Sequence, residues 1–152
     1  MAEPLTIREA RPADAATIVD FQVRMARETE DMELDRETVT RGVAAVFADA
    51  AKGAYWIAQA GGEVLGVLLT TFEWSEWRDG TVLWIQSVYV VPEARGRGVY
   101  RALYEHLKRR VESSPDLKGL RLYVDTRNTA AQSVYERLGM TREHYVLYEW
   151  LK

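Results

Sequence analysis

Residues 88–107 read VYVVPEARGRGVYRALYEHL, a β-branched apolar run that becomes a helical pattern through Arg95-Gly96-Arg97-Gly98. Glycine adopts backbone angles that other residues resist and lets the main chain approach a ligand closely. Successive N–H groups in such a turn, opening onto a helix N-terminus, form a concave anion site. Arg95 and Arg97 add charge suited to phosphate oxygens. The stretch is therefore a candidate pyrophosphate cradle, although a surface turn with solvated arginines accounts for it as well at this level. Two other nucleotide loops drop out. No Gly-Lys-Ser/Thr follows four spacer residues, and Arg101 stands where a dinucleotide fingerprint needs its third glycine.

Other residues could also carry chemistry. Gln86 and Ser87 are polar in the middle of the apolar run TVLWIQSVYVV. Buried polar groups need partners or a wet cavity, so this pair either borders a channel or satisfies neighbouring backbone. The stretch ETEDMELD (28–35) holds five acids in eight residues, Glu28, Glu30 and Asp31 among them. At a helix end those acids oppose the dipole's preference for cations. The segment TTFEWSEWRDG sets Phe72, Trp74 and Trp77 beside Glu73 and Glu76, an aromatic and acidic lining suited to an alkylammonium. The same tryptophans could fill a core or a subunit contact. Asn128 and Tyr135 lie seven residues apart, about two turns, and so share one helix face. Separately, Asn128 could be only an N-cap and Tyr135 only a core aromatic. With two histidines, His106 and His144, and no cysteine, no metal site is expected.

The elements that must position these residues follow from periodicity and punctuation. Leu5–Glu9 alternates as a short strand. Pro12 and Asp14 open a helix with Ile18, Phe21 and Met25 on one face, and Asp35 caps a second carrying Val39, Val43, Val46 and Phe47. AYWIAQ and EVLGVLLTTFEW meet at Gly61-Gly62, a hairpin signal, and Asp79-Gly80 leads into TVLWIQSVYVV. That run is apolar on both faces and reads as a central, doubly covered strand. Val99, Leu103, Leu107 and Val111 mark the helix after the glycine loop. GLRLYVDT, NTAAQSVYERLG and HYVLYEWL complete the order as strand, helix and strand. The expectation is one mixed α/β domain over residues 1–152.

Composition bounds the function. At 152 residues and 47% hydrophobic, the chain can bury one core. A net charge of −3 provides no basic field for nucleic acid. The absence of cysteine excludes disulfides and thiolate catalysis. No basic-then-apolar leader and no bilayer-length apolar run occur, so a cytoplasmic protein without a membrane partner is expected.

The pair ARGRGVYRAL and NTAAQSVYERLGM resembles the GNAT-type N-acetyltransferases, whose loop pattern is Arg/Gln-x-x-Gly-x-Gly/Ala. Arg95 and Gly98 match it, and Tyr100 occupies the last place. The later signature is met by Asn128, Ala131, Tyr135 and Gly139. The resemblance implies a central, mostly antiparallel sheet of about six or seven strands flanked by about four helices. It also implies a homodimer and acetyl-CoA as co-substrate. By position, Val88, Tyr89 and Val90 should pair with the pantetheine arm. The backbone of Gly96, Arg97, Gly98, Val99, Tyr100 and Arg101, with Arg95 at its head, should hold the pyrophosphate. Asn128 should bond the pantetheine beside Ala131, and Tyr135 should protonate the departing thiolate.

Acetyl transfer to an amine requires a neutral amine, a stabilised carbonyl oxygen and a protonated leaving group. An alkylamine of pKa about 10.4 is neutral in only about one molecule in 2,500 at pH 7. Glu73 is the candidate base or relay, while Glu28, Glu30, Asp31, Trp74, Gln86 and Ser87 are the candidate acceptor contacts. The acidic connection and FEWSEW look most like the spermidine/spermine (diamine) group, which places carboxylates where Gln86 and Ser87 stand here. A small cationic primary amine, acetylated by direct attack in a ternary complex, is the expected acceptor. A non-catalytic acyl-CoA sensor and an enzyme acting on a protein terminus or lysine are the alternatives.

Overall fold

The computed structural model of the chain describes residues 3–152. Strand β1 (Thr6–Glu9) is followed by a 3-10 turn over Pro12–Asp14, which feeds helix α1 (Ala15–Glu30). Asp14 locks that entry: it accepts from Arg8 Nη1 at 2.8 Å and Nη2 at 2.9 Å, and from the Arg11 amide at 2.7 Å. Helix α2 (Arg36–Ala48) begins at Asp35 as expected, whose carboxylate accepts from the Thr38 amide at 3.0 Å. Strands β2 (Ala54–Ala60), β3 (Glu63–Ser75) and β4 (Gly80–Val90) then run antiparallel. A second 3-10 turn over Pro92–Ala94 leads to α3 (Val99–Ser113), β5 (Leu117–Leu122) and α4 (Thr129–Arg137).

The sheet has five strands in sequence order, with β1 to β4 antiparallel and β5 parallel to β4. Alternation sends successive side chains to opposite faces. Tyr89, paired with Val67, meets Phe21 of α1 with ring centroids 5.2 Å apart. Trp56 instead meets His106 of α3 in a tilted ring contact, centroids 5.3 Å apart. Helices thus cover both faces, which explains why TVLWIQSVYVV carries apolar residues on both of its faces. Ile18, Ile57, Leu68, Leu103 and Leu107 are among the fully buried side chains of this core. At Gly66 a methyl group would sit 3.0 Å from Val99 Cγ1 and 3.2 Å from the Tyr89 carbonyl. The missing side chain lets the first turn of α3 rest directly on the sheet.

Two expectations are corrected. Among the described residues the sheet has five strands rather than six or seven, with four α-helices as anticipated. Residues 144–151, read as a final strand, form none. Composition nominates a strand, but only a neighbouring strand that takes its backbone hydrogen bonds makes one. By density of contacts the chain divides into two units, one ending at Leu122 and the other spanning Tyr123–Lys152. The second unit holds α4 and the 144–151 segment.

Candidate active site

Strand β4 builds the site by losing a neighbour. Its pairing with β5 runs from Thr81↔Leu117 to Ile85↔Leu122 and stops. Its pairing with β3 continues to Val90↔Gly66. Between Ser87↔Leu69 and Ile85↔Thr70 the register slips by one residue, which makes Gln86 the extra residue of a β-bulge. Bulges bend a strand and increase its local twist. From Gln86 to Val90, β4 therefore has a strand on one side and none on the other among the described residues. The polar pair that interrupts the apolar run marks this break: Gln86 is exposed and Ser87 half-buried. Such an edge of main-chain donors and acceptors can accept an extended, amide-bearing ligand as a further strand.

The edge ends at the glycine loop. Gly96 and Gly98 have φ of 76° and 79°, in the left-handed region. A methyl group on either would meet nothing within 4 Å. Two left-handed residues spaced by one give the alternating backbone whose N–H groups converge on an anion. Gly98 is also the N-cap of α3 and supplies no side-chain cap to its first turn, leaving that turn's donors to a ligand or solvent. The loop, the helix N-terminus and the open strand edge are consecutive in the chain and fit a diphosphate carrying an amide-rich arm.

The three arginines of the loop are not equivalent. Arg95 turns back toward the sheet: Nε donates to the Val90 carbonyl at 3.0 Å, and Nη2 meets Glu28 Oε2 at 2.6 Å. Its guanidinium carbon lies 5.5 Å from the Tyr89 ring centroid. Tyr89 Oη donates to the other Glu28 oxygen at 2.8 Å. Arg95 and Tyr89 hold the Glu28 carboxyl below the usual carboxylate range, while burial and Glu28 push the Tyr89 phenol up. Arg101 pairs with Glu105 one turn on at 2.8 Å. Arg97, exposed between the two glycines, makes no ion pair among the described residues.

The expected acceptor contacts are thus partly engaged with cations of the protein itself. Glu28 is bound as described, while Glu30 and Asp31 lie exposed at the α1–α2 junction, Asp31 with φ of 49°. Glu73 forms an ion pair with Arg121 of β5 and accepts from the Trp84 indole at 3.3 Å. Trp74 stands 66% exposed next to it in the chain. Reasoning from sequence missed Arg121, Trp84 and the tie between Glu28 and Arg95. The partners are 48 and 67 residues apart for the two ion pairs, and no local signal links them.

In the second unit, Asn128 caps α4, its Oδ1 accepting from the Ala131 amide at 3.1 Å. Tyr135 is half-buried two turns along the same face, and burial pushes its phenol up. Gln132 secures the preceding loop by donating to the Asp125 and Thr126 carbonyls. No helix is long and apolar enough to cross a membrane, and no metal-binding cluster occurs among the described residues.

The acetyltransferase (GNAT) family model matches residues 17–140. A mycothiol acetyltransferase of Streptomyces griseus is 33% identical over 151 residues, covering 93% of this chain and 44% of that protein. The chain thus spans less than half the length of that curated relative. A solved structure, described as a possible acetyltransferase from Clostridium difficile 630, is 40% identical with a TM-score of 0.91 and 99% coverage of both chains. An aminoglycoside N-acetyltransferase solved with CoA shares the fold at a TM-score of 0.82, with 15% identity and coverage of 100% of this chain and 97% of that one.

Proposed function

The chain belongs to the acetyltransferase (GNAT) family, and on that premise we propose that it is an acetyl-CoA-dependent N-acetyltransferase. Its acceptor is a primary amine on a small molecule, attacked directly in a ternary complex. The observation that carries this reading is the open edge of β4 at Gln86–Val90 running into the left-handed Gly96 and Gly98. Acetyl-CoA supplies the acyl group as a thioester.

The backbone of Gly96 to Arg101 holds the pyrophosphate, with Arg97 as the nearby exposed cation. Val88 to Val90 bond the pantetheine amides as a strand would. Asn128, its Oδ1 already used as a cap, offers its amide nitrogen to the same arm. In the reaction the amine nitrogen bonds to the acyl carbon, the carbon–sulfur bond breaks, and Tyr135 Oη gives its proton to the sulfur. The burial that raises the Tyr135 phenol keeps it protonated at working pH. The amine proton leaves through water relayed toward Glu73, which Arg121 and Trp84 hold in place.

For the acceptor, the exposed acids at Glu30 and Asp31 and the exposed Trp74 support a cationic, diamine-like amine. A second reading, an acceptor of the kind named for the Streptomyces griseus relative, is supported by identity across 93% of this chain. An acceptor panel containing diamines, a mycothiol precursor amine and amino-terminal peptides, read by free thiol release and product mass, separates them. CoA bound with no turnover on any amine would overturn the enzymatic reading and leave a sensor.

A further inference from the structure

An acid, an indole and a guanidinium from three adjacent strands meet on one face of the sheet beside the break in β4. Glu73 of β3 forms an ion pair with Arg121 of β5 and accepts from the Trp84 indole of β4 at 3.3 Å. Thr71 pairs with Trp84 and Trp84 with Arg121, while Glu73 pairs with Val82 and Val82 with Gly119. Directly opposed residues, and residues two apart along a strand, share a face. Ser87, opposite Leu69, lies on that same face beyond the bulge.

The cluster is open to solvent. The Arg121 and Glu73 side chains are 39% and 37% exposed, and a methyl group at Gly119 would meet nothing within 4 Å. A plain diamine fits this arrangement poorly, because Arg121 cancels the acid that would attract an ammonium and repels the ammonium itself. A carboxylate on the acceptor reverses that sign. Arg121 binds Glu73 through Nη1, and the Nε–Nη2 edge of the same planar group has the fork geometry for a second carboxylate. An exposed ion pair contributes little, so rearranging it for a ligand costs no more than about five-fold in affinity. Trp84 precedes Ser87 by three residues, roughly 10 Å of strand, which suits a chain of lysine length.

Resting on the acetyltransferase reading above, we propose that the acceptor is a diamine that also bears a carboxylate, an α,ω-diamino acid in type. Arg121 selects it by binding that carboxylate, at the end remote from the reacting amine. The terminal amine then reaches the open edge of β4 that begins at Gln86. The methylene stem lies along the half-buried Trp84, whose indole offers apolar area with a polar tip turned to Glu73. Arg121 is thus a specificity residue, acting on which amine is held and not on the acyl transfer itself.

Lysine and cadaverine differ by the carboxylate alone and so isolate this contact. Calorimetry on the full chain in the presence of CoA, which has no acyl group to transfer, should show lysine bound at least about ten-fold more tightly than cadaverine, as a hydrogen bond between charged groups predicts. Arg121→Gln should erase that preference while cadaverine binds more tightly. Arg121→Gln combined with Glu73→Gln should still lack it, which assigns the loss to the missing guanidinium and not to the bared acid. Arg121→Lys, with the charge but not the fork, should keep only part of it. Circular dichroism should show the wild-type helical signal in each variant. Absence of lysine binding, equal wild-type affinity for the two amines, or a preference that survives Arg121→Gln overturns the proposal. Acetylation of cadaverine as readily as lysine would overturn it too and leave the acetyltransferase reading intact. Lysine held through Arg121 with no turnover on any amine would instead keep the contact and overturn the enzymatic reading.

Discussion

Arg95, the first residue of the glycine loop, is held by Glu28 of α1 at 2.6 Å, in a triangle closed by Tyr89. Its guanidinium also rests on the last residue of β4 through the Val90 carbonyl. Arg95 therefore staples the loop to the helix and the sheet, and in the proposed complex the pyrophosphate is left to backbone donors. Arg95→Ala and Glu28→Gln should each raise the KM for acetyl-CoA roughly two- to five-fold, the range expected of an exposed ion pair. Combined, they should cost no more than either alone, because they break one interaction. Steady-state kinetics on the three variants checks this, and additive losses would assign Arg95 to the phosphate instead.

Gly98→Ala tests the cradle. A methyl group there meets no atom but must adopt φ near 79°, which costs about 1–2 kcal/mol for an L-residue. Thermal unfolding should fall by roughly 2–8 °C. Acetyl-CoA affinity, read by calorimetry, should fall further than stability does, since the N–H groups must also be re-aimed.

Tyr135→Phe should lower kcat by about 10²-fold or more with little change in the KM for acetyl-CoA. A general acid must be protonated, and burial lifts this phenol above 10.0. The descending limb of kcat against pH should therefore lie above pH 10 in the wild type and vanish in Tyr135→Phe. The ascending limb, set by the amine, should remain in both.

Glu73 and Arg121 make opposite predictions. Arg121→Gln removes the cation that neutralises Glu73, so KM for a diamine should fall. Glu73→Gln should raise it and lower kcat if water relays the proton there. Equal changes in both variants would mean that the pair only ties β3 to β5.

Asp14 controls acid stability. Arg8 and the Arg11 amide hold its carboxyl below 3.8, so the folded chain binds its proton less readily than the unfolded one. That stability is fully present above about pH 4 and is lost as pH falls through the folded value. Asp14→Asn should lower urea stability by about 1–3 kcal/mol at pH 7, and the difference should shrink steadily as pH falls below about 4.

What residues 3–152 owe to sequence alone is what neighbours along the chain decide. The caps at Asp35 and Asn128, the amphipathic α1 and α3, and the glycine loop act within a turn or two, where backbone geometry and side-chain spacing suffice. Gln86 and Ser87 stand out in the sequence as a polar pair in an apolar strand, but the sequence offers only a channel border or a backbone contact to explain them, not a break in β4. The tertiary structure decided the rest: the one-residue slip at Gln86, the end of β5 pairing at Ile85, and the partners of Glu28 and Glu73. It also assigns no strand to HYVLYEWL. Register and long-range ion pairs depend on which surfaces meet after the helices pack, and a strand exists only where another strand accepts its hydrogen bonds.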